Sequence, residues 1–139
     1  MEPTRKSYPY KLNQFNDAVN GFAQAITVEV KGKSAVEADL INNGKVQKFE
    51  YCVELAWKLA RMFLFDIHGL ERNSPKSAAK GLLEVQLIDD NLYQHFIEML
   101  NDRNRMSHVY DLEDFSEILD KLKLHSECLQ ALSEGFRRA

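Results

Sequence analysis

Apolar residues recur at intervals of three and four through almost the whole chain, which is the spacing of one face of an α-helix. Leu12, Phe15, Val19, Phe22, Ile26 and Val30 make a first stripe. Gly32 and the mixed stretch as far as Asn43-Gly44 read as a break after it. A second, stronger stripe follows through Val46, Phe49, Val53, Ala56, Ala60, Phe63 and Ile67. Leu55, Trp57, Leu59 and Met62 widen that stripe around the helix. A helix apolar over so much of its circumference belongs at the centre of a bundle or against a partner chain. His68-Gly69 predicts its end, because glycine takes the left-handed backbone of a helix stop at low cost.

Ser74-Pro75 opens a shorter helix, with serine as N-cap and proline at the first helical position. Its apolar positions are Ala78, Leu82, Val85 and Ile88. Asp89 or Asp90 caps a fourth helix, with Leu92, Phe96, Met99 and Leu100 inward and Arg103 prolonging the stripe. Asp111 or Asp114 starts a fifth, striped by Phe115, Ile118, Leu122, His125, Leu129 and Leu132. Arg137 and Arg138 close it with the charge that a helix C-terminus favours. Strand-like alternation and internal repeats are absent from the pattern. The connections are short, so neighbouring helices are expected antiparallel. The expected fold is all-α: an up-and-down four-helix bundle with one extra short helix, as one domain over residues 1–139. Residues 1–10 are expected to form a polar N-terminal arm.

Composition narrows the function classes. The chain has 139 residues and a net charge of -3, which argues against a broad, non-specific nucleic-acid binder and confines any RNA contact to a small basic patch. The N-terminus lacks the apolar core of a signal peptide, and the longest apolar run, Met62 to Phe65, is far too short to span a membrane. Cys52 and Cys128 fall inside helical patterns without metal-ligand spacing, as expected of reduced, packed thiols in a cytoplasmic protein. His68, His95, His108 and His125 show no paired ligand spacing, and no glycine-rich phosphate loop appears. No metal and no cofactor are expected.

Reactive side chains concentrate in Arg103-Asn104-Arg105-Met106-Ser107-His108-Val109-Tyr110. Arginine is a fixed cation whose planar fork of donors suits phosphate. Histidine gives and takes a proton near neutral pH. Arg five before His is by itself a weak motif, and a tyrosine two residues after the same histidine makes the combination much more specific. Asn104 and His108, four apart, share a helical face. Arg103 and His108 would point roughly 140° apart on a continuous helix, so their convergence needs a helix end near Ser107 or a folded-back arginine. The plain alternative is a helix C-terminus with a charged surface and a capping histidine. Glu50, Glu54 and Lys58 form one helical row, either a solvated face or part of a cleft. Trp57 beside them is either an interface anchor or core.

These residues resemble a known family. Arg103, a polar residue, three variable residues, His108, one residue and Tyr110 match the signature of HEPN domains in their bacterial two-gene form. Lys48 to Lys58 is similar to the basic-Phe-Glu…Glu-Leu-x-Trp-Lys segment of the branch called nucleotidyltransferase substrate-binding proteins. Ser74-Pro75-Lys76 resembles that branch's third-helix opening. The resemblance runs from about Phe15 to Phe136 without departure at the motif positions.

The resemblance implies a small helical bundle that forms a two-fold homodimer and partners a separately encoded minimal nucleotidyltransferase. Catalytic members are metal-independent endoribonuclease toxins that the transferase neutralises. Others are non-catalytic, nucleotide- or substrate-binding subunits. In the first role Arg103 stabilises the phosphate, His108 moves the proton and Asn104 orients His108 or donates a hydrogen bond. Glu50, Glu54, Trp57 and Lys58 would line the dimer cleft or the partner surface. Tyr110 would be the site where the transferase attaches adenylate. The transferase chemistry itself, which needs a Gly-Ser element and spaced aspartates for magnesium, has no counterpart in this sequence.

Overall fold

The structure is a computed structural model that describes residues 7–108 and 112–139, with Ser107 and His108 described by their backbone alone. Five helices make it up: α1 (Tyr8–Ala25), α2 (Ala35–His68), α3 (Pro75–Glu84), α4 (Asp90–His108) and α5 (Leu112–Arg138). Among the described residues there is no strand.

Local chemistry sets most of the boundaries. The Ser7 hydroxyl accepts the Tyr10 N–H at 3.3 Å and caps α1, so the helix takes in residues 8–10 of the expected arm. α1 stops at Ala25, short of Val30 on its apparent stripe. α2 starts well before Val46. Ser34 accepts the Glu37 N–H and Glu37 accepts the Ser34 N–H, both at 3.1 Å, which satisfies two orphan donors reciprocally. Asn43-Gly44 therefore lies inside a 34-residue helix and does not break it. Asn43 donates its amide back to the Asp39 carbonyl at 2.8 Å. The glycine costs the helix about 1 kcal/mol relative to alanine, too little to stop it.

Gly69, at φ 66°, ends α2 in the left-handed conformation. α3 crosses α2 at Gly81, where an added Cβ would lie 2.5 Å from a methyl of Leu64, so the absence of a side chain permits the close approach. Of the two candidate caps for α4, Asp89 does the work: its carboxylate accepts the Leu92 N–H at 2.8 Å.

Ring contacts define the packing directions. Tyr8 meets Phe63 and Phe22 meets Phe49, so α1 and α2 run antiparallel. Phe49 stacks on His125 and Phe63 meets Phe136, so α2 and α5 run side by side in one direction. Glu98 and Asp102 of α4 pair with Lys121 of α5, and Arg105 with Asp114, which makes α4 and α5 antiparallel. Phe15, Phe22, Phe49, Phe96 and Phe136 are fully buried in the shared core. Residues 35–40 of α2 have no buried side chain, and Val36 and Leu40 are 70% and 68% exposed. From Ile41 on the helix is partly buried, and Lys45 donates to the Val28 carbonyl at 2.6 Å, so the overhang is about 9 Å, at 1.5 Å per residue.

Candidate functional site

One face of the bundle gathers the candidate residues of α2 around Arg103 of α4. Glu50, Glu54 and Lys58 follow each other at one turn's spacing along α2. Glu54 is the hub. Its Oε2 lies 3.0 Å from Arg103 Nη2 and accepts the Trp57 indole N–H at 3.2 Å, while its Oε1 lies 3.2 Å from Lys58 Nζ. Burial pushes the Glu54 carboxyl up, but the Trp57 and Lys58 hydrogen bonds and the positive charges of Arg103 and Lys58 outweigh it and hold the group below its ordinary value. Glu50 goes the other way: burial raises it, with the charge of Arg103 only partly offsetting. Two carboxylates on one row thus sit in different electrostatic states beside the same arginine. Trp57 is half-buried at the rim of the core, and the Arg61 guanidinium lies 5.3 Å from its ring centre.

Arg103 is not an inward residue. Its side chain is 32% exposed, and the buried position in that turn is Asp102. The stripe from Phe96 through Met99 turns slightly around α4, so Arg103 falls on the edge of the core, with its Nε buried and its Nη2 turned to Glu54. Asn104, one residue on, is exposed. α4 ends at His108, one residue past the helix end expected near Ser107, and its backbone is helical through both positions. Positions 103 and 108 therefore stand about 140° apart around a regular helix. Nothing is described of the His108 side chain, and Tyr110 lies outside the described residues.

Behind Arg103 lies a charge network whose centre, Asp102 with His125, is buried. Asp102 Oδ2 accepts from His125 Nε2 at 2.8 Å and from Lys121 Nζ at 3.1 Å. Burial raises the Asp102 carboxyl, and the His125 and Lys121 hydrogen bonds overcome it, so the group stays ionised below its usual range. His125 also stacks on Phe49 with ring centres 4.9 Å apart. Lys121 reaches Glu98 at 2.8 Å. Arg105 bridges Asp102, Asp114 and Glu117 and ties the end of α4 to the start of α5. Spacing alone places His125 on the α5 stripe and gives Arg105 no partner. The signal was there: Glu98 and Asp102 on α4 are four apart, as are Lys121 and His125 on α5, two rows of opposite character on antiparallel helices.

Among the described residues, no group of three His, Cys, Asp or Glu is placed to hold a metal ion, and no helix is long and apolar enough to cross a membrane. Both cysteines are buried and unpaired with each other.

A sequence profile of the family described as "nucleotidyltransferase substrate binding protein like" matches residues 10–137. The chain belongs to that family. The family's name speaks of binding a nucleotidyltransferase substrate, and the match takes in all of the α2 row and Arg103. A crystal structure of a Thermus thermophilus protein has the same fold, with a TM-score of 0.76 at 24% identity over 88% of this chain and 98% of that one. No curated protein matches the chain in sequence.

Proposed function

We propose that this family member is the substrate-binding subunit of a separately encoded nucleotidyltransferase, and that its α2–α4 face holds the phosphate of a nucleotide or of RNA. The observation that carries this reading is Arg103: an arginine one-third exposed, oriented by Glu54, with Lys58 on the same carboxylate. A phosphate arriving there takes bidentate hydrogen bonds from the guanidinium and competes with the Glu54 carboxylate for it. Glu54→Gln is therefore expected to raise affinity for a short RNA or for pyrophosphate several-fold, and Arg103→Ala to lower it at least tenfold. Unchanged affinity in both variants removes the site.

The finer reading is a HEPN toxin: a homodimer that cleaves RNA without metal and is neutralised by the transferase. What supports it is the residue set Arg103, Asn104 and His108 together with the helical register. One chain sets positions 103 and 108 on different sides of α4, so a second copy brought against the first fits a chemistry that needs a phosphate-binding cation and a proton carrier together. Cleavage by the purified protein in EDTA, lost in His108→Ala, is the expected result. Equal cleavage by that variant leaves the binding role alone. Adenylation of Tyr110 belongs to the same reading: a bulky anion near Arg103 competes with the RNA phosphate. Co-expression with the transferase should add adenylate mass to the wild type and none to Tyr110→Phe.

A further inference from the structure

Beside the Glu54 hub, on the other side of Lys58, α1, α2 and the loop before α3 enclose a cavity of about 480 Å³. That volume lies within the range of small-molecule sites. Its apolar wall comes from α2: Leu55, the buried Leu59, Met62 and Phe65. Phe65 is 59% exposed, a large ring left in water at the rim. Four cations line the same cavity: Lys11 from α1, Lys58 and Arg61 from α2, and Arg72 from the loop. Against them stand two carboxylates, Asp66 and Glu71. The cavity is thus locally positive in a chain whose net charge is -3.

Those cations are only lightly committed. Lys58 pairs with Glu54 at an exposed position and Arg72 with Glu84 at 2.8 Å. Arg61 lies over Trp57. Lys11 makes no ion pair among the described residues. Solvent-exposed pairs of this kind contribute little and yield to a better anion.

We propose that this cavity binds a nucleoside phosphate, as a second site separate from the Arg103 face. The apolar wall and the Phe65 ring take the flat base, because stacking on an exposed aromatic is a favourable contact for any base. Lys11, Arg61 and Arg72 take the phosphates, while Lys58 stays on Glu54. Asp66, Glu71 and Asn73 supply acceptors for ribose hydroxyls or an exocyclic amine. The choice of a nucleoside phosphate over other aromatic anions rests on the substrate-binding reading above; the placement rests on the cavity alone. The same chemistry is presented by a free nucleotide and by the 5′ end of an RNA strand.

The chain has one tryptophan, Trp57, and its partner Arg61 lines the cavity, so with the Arg103 site removed its fluorescence reports occupancy of the cavity. Titration of the full-length Arg103→Ala protein with ATP should change that fluorescence, and adenosine should bind at least tenfold more weakly. In the same background, Lys11→Glu combined with Arg61→Glu should weaken ATP binding, measured by calorimetry, at least tenfold with an unchanged circular-dichroism spectrum. Phe65→Ser should there weaken ATP more than pyrophosphate. A 5′-triphosphorylated RNA hexamer that displaces ATP assigns the site to an RNA end; failure to displace assigns it to the free nucleotide. The proposal is overturned if ATP does not bind the Arg103→Ala protein at millimolar concentration, or if adding the double change leaves that affinity unaltered. ATP binding by the wild type that is lost in Arg103→Ala overturns the cavity and leaves the Arg103 site standing.

Discussion

The Nε2 of His125 lies 2.8 Å from the Oδ2 of Asp102, and both residues are almost sealed from water, at 1% and 2% exposure. The ionised carboxylate accepts, so the Nε2 carries a hydrogen toward it, while the buried Nδ1 has no hydrogen-bond partner among the described residues. Asp102 directly precedes Arg103. The pair, with Lys121 and Arg105, locks the end of α4 against α5 and so sets where the Arg103 side chain leaves the helix.

Removing one partner of such a buried pair strands the other. Asp102→Ala is expected to destabilise the protein by about 3 kcal/mol or more, measured by urea unfolding at pH 7. The effect has a pH signature. The folded-state Asp102 carboxyl is held below its ordinary value, so its contribution is complete above the unfolded value of about 3.9 and is lost as pH falls through the lower folded value. The stability curves of wild type and Asp102→Ala should converge below about pH 4. Curves that remain parallel in acid would show that Asp102 stabilises by packing alone.

Arg103 should behave in the opposite manner. Its ion pair with Glu54 joins two partly exposed side chains, and such pairs contribute about 0–1 kcal/mol. Arg103→Ala is expected to unfold within about 1 kcal/mol of wild type while losing phosphate affinity by ten- to a hundred-fold, the worth of a charge-assisted hydrogen bond. A large loss of stability in this variant would recast Arg103 as a structural residue.

The overhang of α2, residues 35–40, has little but its cap to hold it. Ser34→Ala should cost about 1 kcal/mol of local helix stability. Because these six residues bury no side chain, that loss should appear as faster amide exchange over the first turns of α2, with the global unfolding midpoint unchanged. A lowered global midpoint would mean that the overhang folds as one unit with the bundle.

Burial pushes the Cys52 thiol up to about 12, and it also raises Cys128, with Glu127 and Glu98 adding to the shift. The thiolate is the reactive form. At pH 8 the native protein should react with a thiol reagent such as DTNB only at the rate of its unfolding, and completely in guanidinium. Rapid native labelling of Cys52 would contradict its place in the core.

Much of this molecule is legible without coordinates, and the misses share one cause. Stripe reading finds buried turns: Phe15, Val19 and Phe22, or Phe49, Val53, Ala56 and Ala60, are placed inward by spacing alone. It fails where a helix extends past the core. The start of α2 carries Val36 and Leu40 in water, and only the Ser34–Glu37 capping box marks it. It fails again at Arg103, where a one-residue rotation puts Asp102 inside.

Periodicity and caps in the sequence alone were enough to determine an all-helical bundle, and motif spacing nominated the Arg103–Tyr110 segment as a candidate site, with Glu50, Glu54, Trp57 and Lys58 as its candidate neighbours. These are local properties, carried by residues within a few turns of each other. That Glu54 meets Arg103 from a distant helix, that Asp102 meets His125, and that Lys11 joins Arg72 around one cavity was decided by tertiary packing. The angle at which one helix rests on another selects which charges face each other, and that angle is set by the whole core at once.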